Sequence, residues 1–237
     1  LAMKIFFDSW HDVILKIIDL IMLCAPYGVF ALLAAIIVES PSMDLFKALG
    51  LYSITVLFGL ILLICIYLII VRVFLGKSPS YFLKGISPAQ LLAFSTSSSA
   101  ATLPVTMERV KDHLDVDEEV SSFVLPIGAT INMDGSALYQ AVAAVFIAQA
   151  FGLDLSLAAQ LGIVTTATLA SIGSAAVPGA GMVMLIIVLP QAGIPEIGLA
   201  LIFAVDRPLD MCRTVVNVTG DATVSMFVNK IVRKKRT

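Results

Sequence analysis

The sequence predicts an all-α polytopic membrane protein, built as an inverted repeat of a re-entrant helical hairpin followed by a broken transmembrane helix. Three observations lead there. Of 237 residues, 59% are hydrophobic and only 14% charged, where soluble domains carry roughly a quarter charged. Uncharged stretches run to 41 residues, and about 20 suffice to cross a bilayer. Twice such a stretch is interrupted in its middle by Ser-, Gly- and Pro-rich sequence that a simple crossing helix would not carry. A net charge of −2 supplies no basic field for nucleic acid.

The first span is expected from Val13 to Val38, kinked at Pro26 and Gly28. It is too long for the short apolar core of a signal peptide. The chain opens on Leu1 rather than Met, which suits a fragment of a longer protein. Ser40-Pro41-Ser42 reads as a turn, and Ala48 to Val71 follows as 24 residues without a charge, the second span. Cys24, Cys65 and Cys212 lie far apart in apolar runs and read as small packing residues rather than disulfides. His11 and His113 lack partners at metal-ligand spacing and read as interfacial or solvated.

Basic residues Arg72, Lys77 and Lys84 precede the uncharged stretch Gly85–Met107, and Arg109 and Lys111 follow it. Basic flanks stay cytoplasmic, so this stretch is expected to enter and leave by one face. Its tip, Ser95-Thr96-Ser97-Ser98-Ser99 before Pro104, fits a re-entrant hairpin over 85–107. A broken span over 119–151 contains Asn132-Met133-Asp134-Gly135. The stretch from Leu155 to Pro195 is interrupted by Gly173-Ser174 and by Val177-Pro178-Gly179-Ala180-Gly181, with no basic residue at either flank. It is expected as a second re-entrant hairpin, 155–195, from the opposite side. The last span, 196–232, ends in Arg233-Lys234-Lys235-Arg236, a cytoplasmic terminus by the same rule. Two hairpin-plus-broken-helix units entering from opposite faces form the pattern of secondary transporters.

The last span carries the chemistry. At 100° per residue, Asp206, Arg207, Asp210, Arg213, Thr214, Asn217 and Asp221 fall on one stripe within about 60° of Asp210. Charges at the centre of a membrane helix cost about 3 kcal/mol each on insertion scales, so a stripe of them is functional by default. The plainer reading is that Asp210 and Arg213, three apart, neutralise one another; that leaves Asp206, Asn217 and Asp221 unexplained. Asn132 and Asp134 read either as polar glue between helices or, beside Gly135, as an unwound oxygen-rich cation site. The hairpin tips, with small residues and helix N-termini, suit a carboxylate.

These four motifs, Ser97-Ser98-Ser99 before Thr102-Leu103-Pro104, Asn132-Met133-Asp134-Gly135, Val177-Pro178-Gly179-Ala180-Gly181 and Asp210-Met211-Cys212-Arg213-Thr214 with Asn217 and Gly220-Asp221, resemble the dicarboxylate/amino acid:cation symporters, among them the glutamate and aspartate transporters. The resemblance covers essentially the whole chain, aligned with the carboxyl-terminal part of the family fold. It implies a sodium-coupled symporter of aspartate or glutamate with an elevator-like movement of a transport core, 45–237, against a trimeric scaffold to which residues 1–44 belong. The setting it implies is the plasma (inner) membrane, and no enzyme activity is expected.

By the same resemblance, Arg213 grips the substrate's side-chain carboxylate and Asp210 its ammonium. Thr214, Asn217, Ser136, Ser98, Ser99, Val177, Pro178 and Gly181 complete the substrate site. Sodium is expected at Gly128, Asn132, Asn217 and Asp221, at Thr130, Met133, Ser171, Ile172 and Ser174, and at Asp134. The family usually carries a further arginine where this chain has Ser97 or Met211, and Arg207, on the same stripe, is a candidate substitute. The alternatives are a proton-coupled dicarboxylate or glutamate symporter, an anion channel, and an intramembrane aspartyl protease using Asp134 and Asp221. The last lacks any Gly-x-Gly-Asp signature.

Overall fold

The computed structural model describes residues 43–236 and scattered helical positions between Met3 and Ala34. The chain divides into two compact units, 1–46 and 47–237. In the first, the described positions are helical, and Met3, Phe6, Trp10, Leu20, Leu23, Tyr27 and Phe30 are exposed. The expected kink at Pro26, the Ser40–Ser42 turn and His11 lie outside the described residues.

Everything described in the second unit is helix or connection. The helices are α1 (Met43–Val73, which starts within the first unit), α2 (Pro79–Thr96), α3 (Ser99–Leu114), α4 (Glu118–Ile131), α5 (Asp134–Ala150), α6 (Leu157–Ile172), α7 (Ala180–Gln191) and α8 (Leu199–Arg236), with a 3₁₀ turn at Glu196–Gly198 before α8. Among the described residues, two stretches are long and apolar enough to cross a membrane, Phe46–Val73 and Glu118–Ala150. On α1 the outward residues Leu51, Ile54, Phe58, Ile61, Ile66 and Ile69 are exposed, a surface suited to lipid rather than water.

Local chemistry sets the ends. Ser78 caps α2 by accepting from Tyr81 N at 3.1 Å, with Pro79 as its first residue, where a missing N–H costs nothing. The α2–α3 turn is only Ser97-Ser98: Ser97 takes a left-handed conformation (φ 51°), and Ser98 caps α3 by accepting from Ala101 N at 3.1 Å. The first hairpin therefore runs 79–114, with arms of 18 and 16 residues, longer than the uncharged 85–107. The charge-free window understates it because Lys84, Arg109 and Lys111 sit inside the helices; Arg109 Nε donates to Gly85 O across the arms at 2.7 Å. The helix pair α4–α5 breaks at Asn132-Met133, both outside helical geometry. Ser156 caps α6, and residues 173–179 form the second tip, closing on Gly179 at φ +77°, a left-handed position that favours glycine.

Two hydrophobic cores share α1 and α8. Phe82, Ile86, Ala93, Val110, Leu114 and Leu125 gather with Val218, Ala222 and Met226 of α8, so the first hairpin and α4 clasp its later half. Tyr139, Ile147, Ile163, Leu185, Leu189 and Ile202 gather with Leu209 and Val216, so α5 and the second hairpin clasp its earlier half. As a result the middle of α8 is enclosed beyond its polar stripe, with Leu209, Val216 and Val218 as buried as Asp210, while Phe203, Val224, Phe227 and Ile231 stand exposed. Cys24 and Cys65 stand exposed rather than packed, Cys212 is partly buried, and all three are free thiols. His113 is exposed beside Arg109.

Candidate functional site

The two hairpin tips meet over α8. Ser98 Oγ donates to Ala176 O at 2.7 Å, and Ala100 N approaches the same carbonyl at 3.4 Å. Gly179 N donates to Asp210 Oδ2 at 2.8 Å. Ser97 and Ser98 of the first tip are thus enclosed by protein, whereas the second tip is buried at Ser174 and Ala176 and exposed at Gly173 and Ala175. Between the tips and the helices lies a narrow cleft, with about 10 Å³ of free space. It is lined by Ser99, Ser136, Val177, Gly181, Asp210, Thr214 and Asn217 of the expected substrate set, with Ser97, Met133, Ser174, Ala175, Ala176 and Ala180. Ser98 ties the tips together instead of lining the cleft, and Pro178 is half-buried in the second tip.

Arg213, 1% exposed, lies directly behind this lining. Its Nε donates to Asp210 Oδ1 at 2.9 Å and its Nη1 to Asp206 Oδ1 at 3.2 Å, while Nη2 sits 2.8 Å from Asp210 Oδ1. Nη2 nevertheless finds no well-directed hydrogen-bond acceptor. The guanidinium stacks 4.1 Å from the Tyr139 ring, a contact worth about 2 kcal/mol when desolvated. Asp210 and Arg213 therefore do neutralise each other here, and Asp206, which spacing had left without a role, shares the guanidinium. Gly181 is required by the approach of α7: a Cβ there would stand 2.9 Å from Arg213 Cζ. Arg207, about one-third exposed at its side chain, reaches Asp210 Oδ2 at 3.4 Å.

The residues expected for cations fall into separate groups. Asn132 Nδ2 donates to Asp221 Oδ1 at 3.0 Å, and α4 comes so close to α8 that a Cβ on Gly128 would lie 2.6 Å from that oxygen. Asn217 faces the helix break: its Oδ1 accepts from Gly135 N at 2.8 Å and its Nδ2 donates to Ser136 Oγ at 3.2 Å, with Met133 Sδ at 3.7 Å. Asn217 thus caps α5 from across the site. Asp134 accepts a short hydrogen bond from Tyr67 OH. Ser171 and Ser174 are buried and joined through Ser174 N to Ser171 O at 3.1 Å, and Ser174 Oγ has no partner. Thr130 and Ile172 have exposed side chains, so any share in a site would come from their backbone oxygens. No cluster of three or more His, Cys, Asp or Glu suited to a metal occurs among the described residues.

Sequence reasoning missed Tyr67, Tyr139 and Gln140. Gln140 is fully buried and donates to Gly181 O at 3.2 Å, holding the second tip's helix from α5. The available signal was a buried-type polar residue, Tyr139-Gln140, in an otherwise apolar span. Tyr67 carried no such signal, because its partner lies 67 positions away.

The profile of the Sodium:dicarboxylate symporter family matches residues 2–231. Among curated relatives, excitatory amino acid transporter 3 of Oryctolagus cuniculus is 48% identical over 97% of this chain and 44% of its own length. The Homo sapiens transporter of that name is 47% identical over the same shares. Excitatory amino acid transporter 1 of Ambystoma tigrinum is 44% identical over 98% of this chain and 43% of its own length. The chain thus spans less than half the length of these relatives.

Proposed function

Because the chain belongs to the sodium:dicarboxylate symporter family, a family of membrane transporters rather than enzymes, we propose that the intact protein carries aspartate or glutamate across the plasma membrane by sodium symport. The observation that carries this reading is Arg213: a guanidinium 1% exposed, behind a cleft closed by two hairpin tips and held by two carboxylates. A substrate carboxylate would displace Asp206 and Asp210 from the fork, for which planar bidentate geometry suits arginine. Asp210, released, would turn to the substrate ammonium. Thr214, Asn217 and Ser136, together with Ser98, Ser99, Val177, Pro178 and Gly181 of the tips, complete the site.

Charge balance supports the sodium part. Asp206 and Asp210 are paired with Arg213 and Arg207, whereas Asp134 and Asp221 have the neutral partners Tyr67 and Asn132 and no ion pair among the described residues, so these two carboxylates are the ones suited to a cation. Cations would bind at Gly128, Asn132, Asn217 and Asp221, at Thr130, Met133, Ser171, Ile172 and Ser174, and at Asp134, with oxygen ligands as hard cations require. Asn132 and Asp221, now bonded to each other, would both turn oxygens toward the ion. The second hairpin acts as the gate. The core 45–237 moves as an elevator within a trimer in which residues 1–44 belong to the scaffold, and the carboxyl terminus is cytoplasmic.

The test is a calorimetric titration of the intact protein with both amino acids, with and without sodium. Binding that tightens steeply with sodium and vanishes in Arg213→Ala is expected. Aspartate affinity indifferent to sodium would overturn the coupling.

A further inference from the structure

The transport site uses the middle of α8, leaving a second polar cavity at its far end unaccounted for. That cavity, of about 250 Å³, lies between the α1–α2 loop, the end of α3 and the last turns of α8, and Lys77, Lys230, Arg233, Asn229 and Asp115 line it. Two basic flanks more than 150 positions apart in sequence converge there. Arg233 is committed to the wall: it holds Asp117 at 2.6 Å and Asp115 at 3.5 Å. The two lysines are placed differently. Lys230 Nζ donates to Phe74 O at 2.5 Å, which uses one of its three N–H bonds, and Lys77 Nζ lies 5.1 Å above the Tyr81 ring, a contact that uses none.

The rim of the cavity marks its depth. Val73, Phe74, Phe227 and Ile231 are exposed beside it, and the rings of Phe74 and Phe227 meet edge to face at 6.3 Å. An apolar belt therefore ends where the lysines begin, the arrangement of an acyl region passing into headgroups. Basic pockets between helices on the cytoplasmic side suit anionic headgroups.

We propose that this cavity binds the phosphate of an anionic phospholipid of the cytoplasmic leaflet, held between Lys77 and Lys230 with the acyl chains along Phe74 and Phe227, while Asn229, bonded to Asp115 O and Asp117 N, fixes the cavity wall. The bound lipid ties the loop before the first hairpin to the end of α8. The inference rests on the membrane topology proposed above and not on the transported substrate.

The experiment reads lipid directly. The intact protein is placed in nanodiscs of phosphatidylcholine with a minor share of phosphatidylglycerol, extracted in mild detergent, and its retained lipid identified by native mass spectrometry. Wild type is expected to retain phosphatidylglycerol over phosphatidylcholine. At about a fivefold contribution per lysine near the surface, Lys77→Ala with Lys230→Ala should lower that preference roughly 25-fold, and the Lys77→Arg, Lys230→Arg pair should keep it. Sodium-dependent aspartate binding, measured on the same samples, stays intact in the variants and separates this claim from the transport reading. Equal retention in wild type and the alanine pair would overturn the proposal. So would displacement of the lipid by millimolar inorganic phosphate, which would make the cavity a site for the free ion.

Discussion

The two hairpins are built from the same parts and anchored differently. The first turns in two residues, caps its second helix with Ser98, pins its arms through Arg109 to Gly85 O, and packs both arms on α8. The second turns over 173–179, with Ser174 Oγ unpartnered, and its two helices pack mainly on each other and on α5. Its outer residues Leu157, Leu161, Val164, Leu169, Val183 and Ile187 are exposed. What holds its tip over the site is a small set of polar contacts: Ala176 O to Ser98, Gly179 N to Asp210 and Gly181 O to Gln140. Regions with few buried contacts open at lower free energy. Similar sequence devices therefore anchor one hairpin along α8 and hold the tip of the other by a few polar contacts.

The contrast can be broken most severely at the group beneath both tips. Arg213→Ala leaves Asp206 buried without its ion-pair partner and Asp210 with Arg207 alone, a cost on the order of 3–5 kcal/mol; titration should show loss of all aspartate binding, while Arg213→Lys should restore little because it lacks the fork. Next come paired glycine tests. Gly181→Ala, whose Cβ would press Arg213 Cζ at 2.9 Å, should weaken aspartate by roughly one to two orders of magnitude with little change in melting temperature. Gly85→Ala, whose Cβ would meet Leu114 Cδ2 at 2.4 Å, should do the reverse: overpacking costs about 1–3 kcal/mol of stability and leaves affinity alone. If both variants behave alike, the hairpins do not divide their labour.

Hydrogen exchange sharpens the comparison at smaller scale. Amides of 173–179 should exchange faster than those at Ser97-Ser98 without ligand, and aspartate with sodium should protect the second tip more. The smallest effect is expected from Ser98→Ala, which removes a helix cap and one inter-tip bond, about 1 kcal/mol, read as a modest fall in melting temperature. Arg207→Ala tests the substitute arginine: unchanged affinity and transport rate would remove it from the site.

Local pattern was enough to read the all-helical class and the Ser- and Gly-rich interruptions at 97–98 and 173–179, because hydrophobic period, Ser caps and Gly turns act over a few residues. The break at Asn132-Met133 and the stripe from Asp206 to Asp221 were legible for the same reason. The extent of the first hairpin was not, since charged residues within reach of water, such as Arg109, end an apolar window without ending a helix. Nor did spacing along α8 reveal that Arg213 is shared by Asp206 and Asp210, that Tyr139 stacks on it, or that Asn217 caps α5. Those partners, like Ser98 with Ala176 and Tyr67 with Asp134, are brought into contact only when distant helices pack. An enclosed charge has no solvent to satisfy it, so its partner is whichever group the packed helices deliver, and periodicity along one helix carries no information about that group.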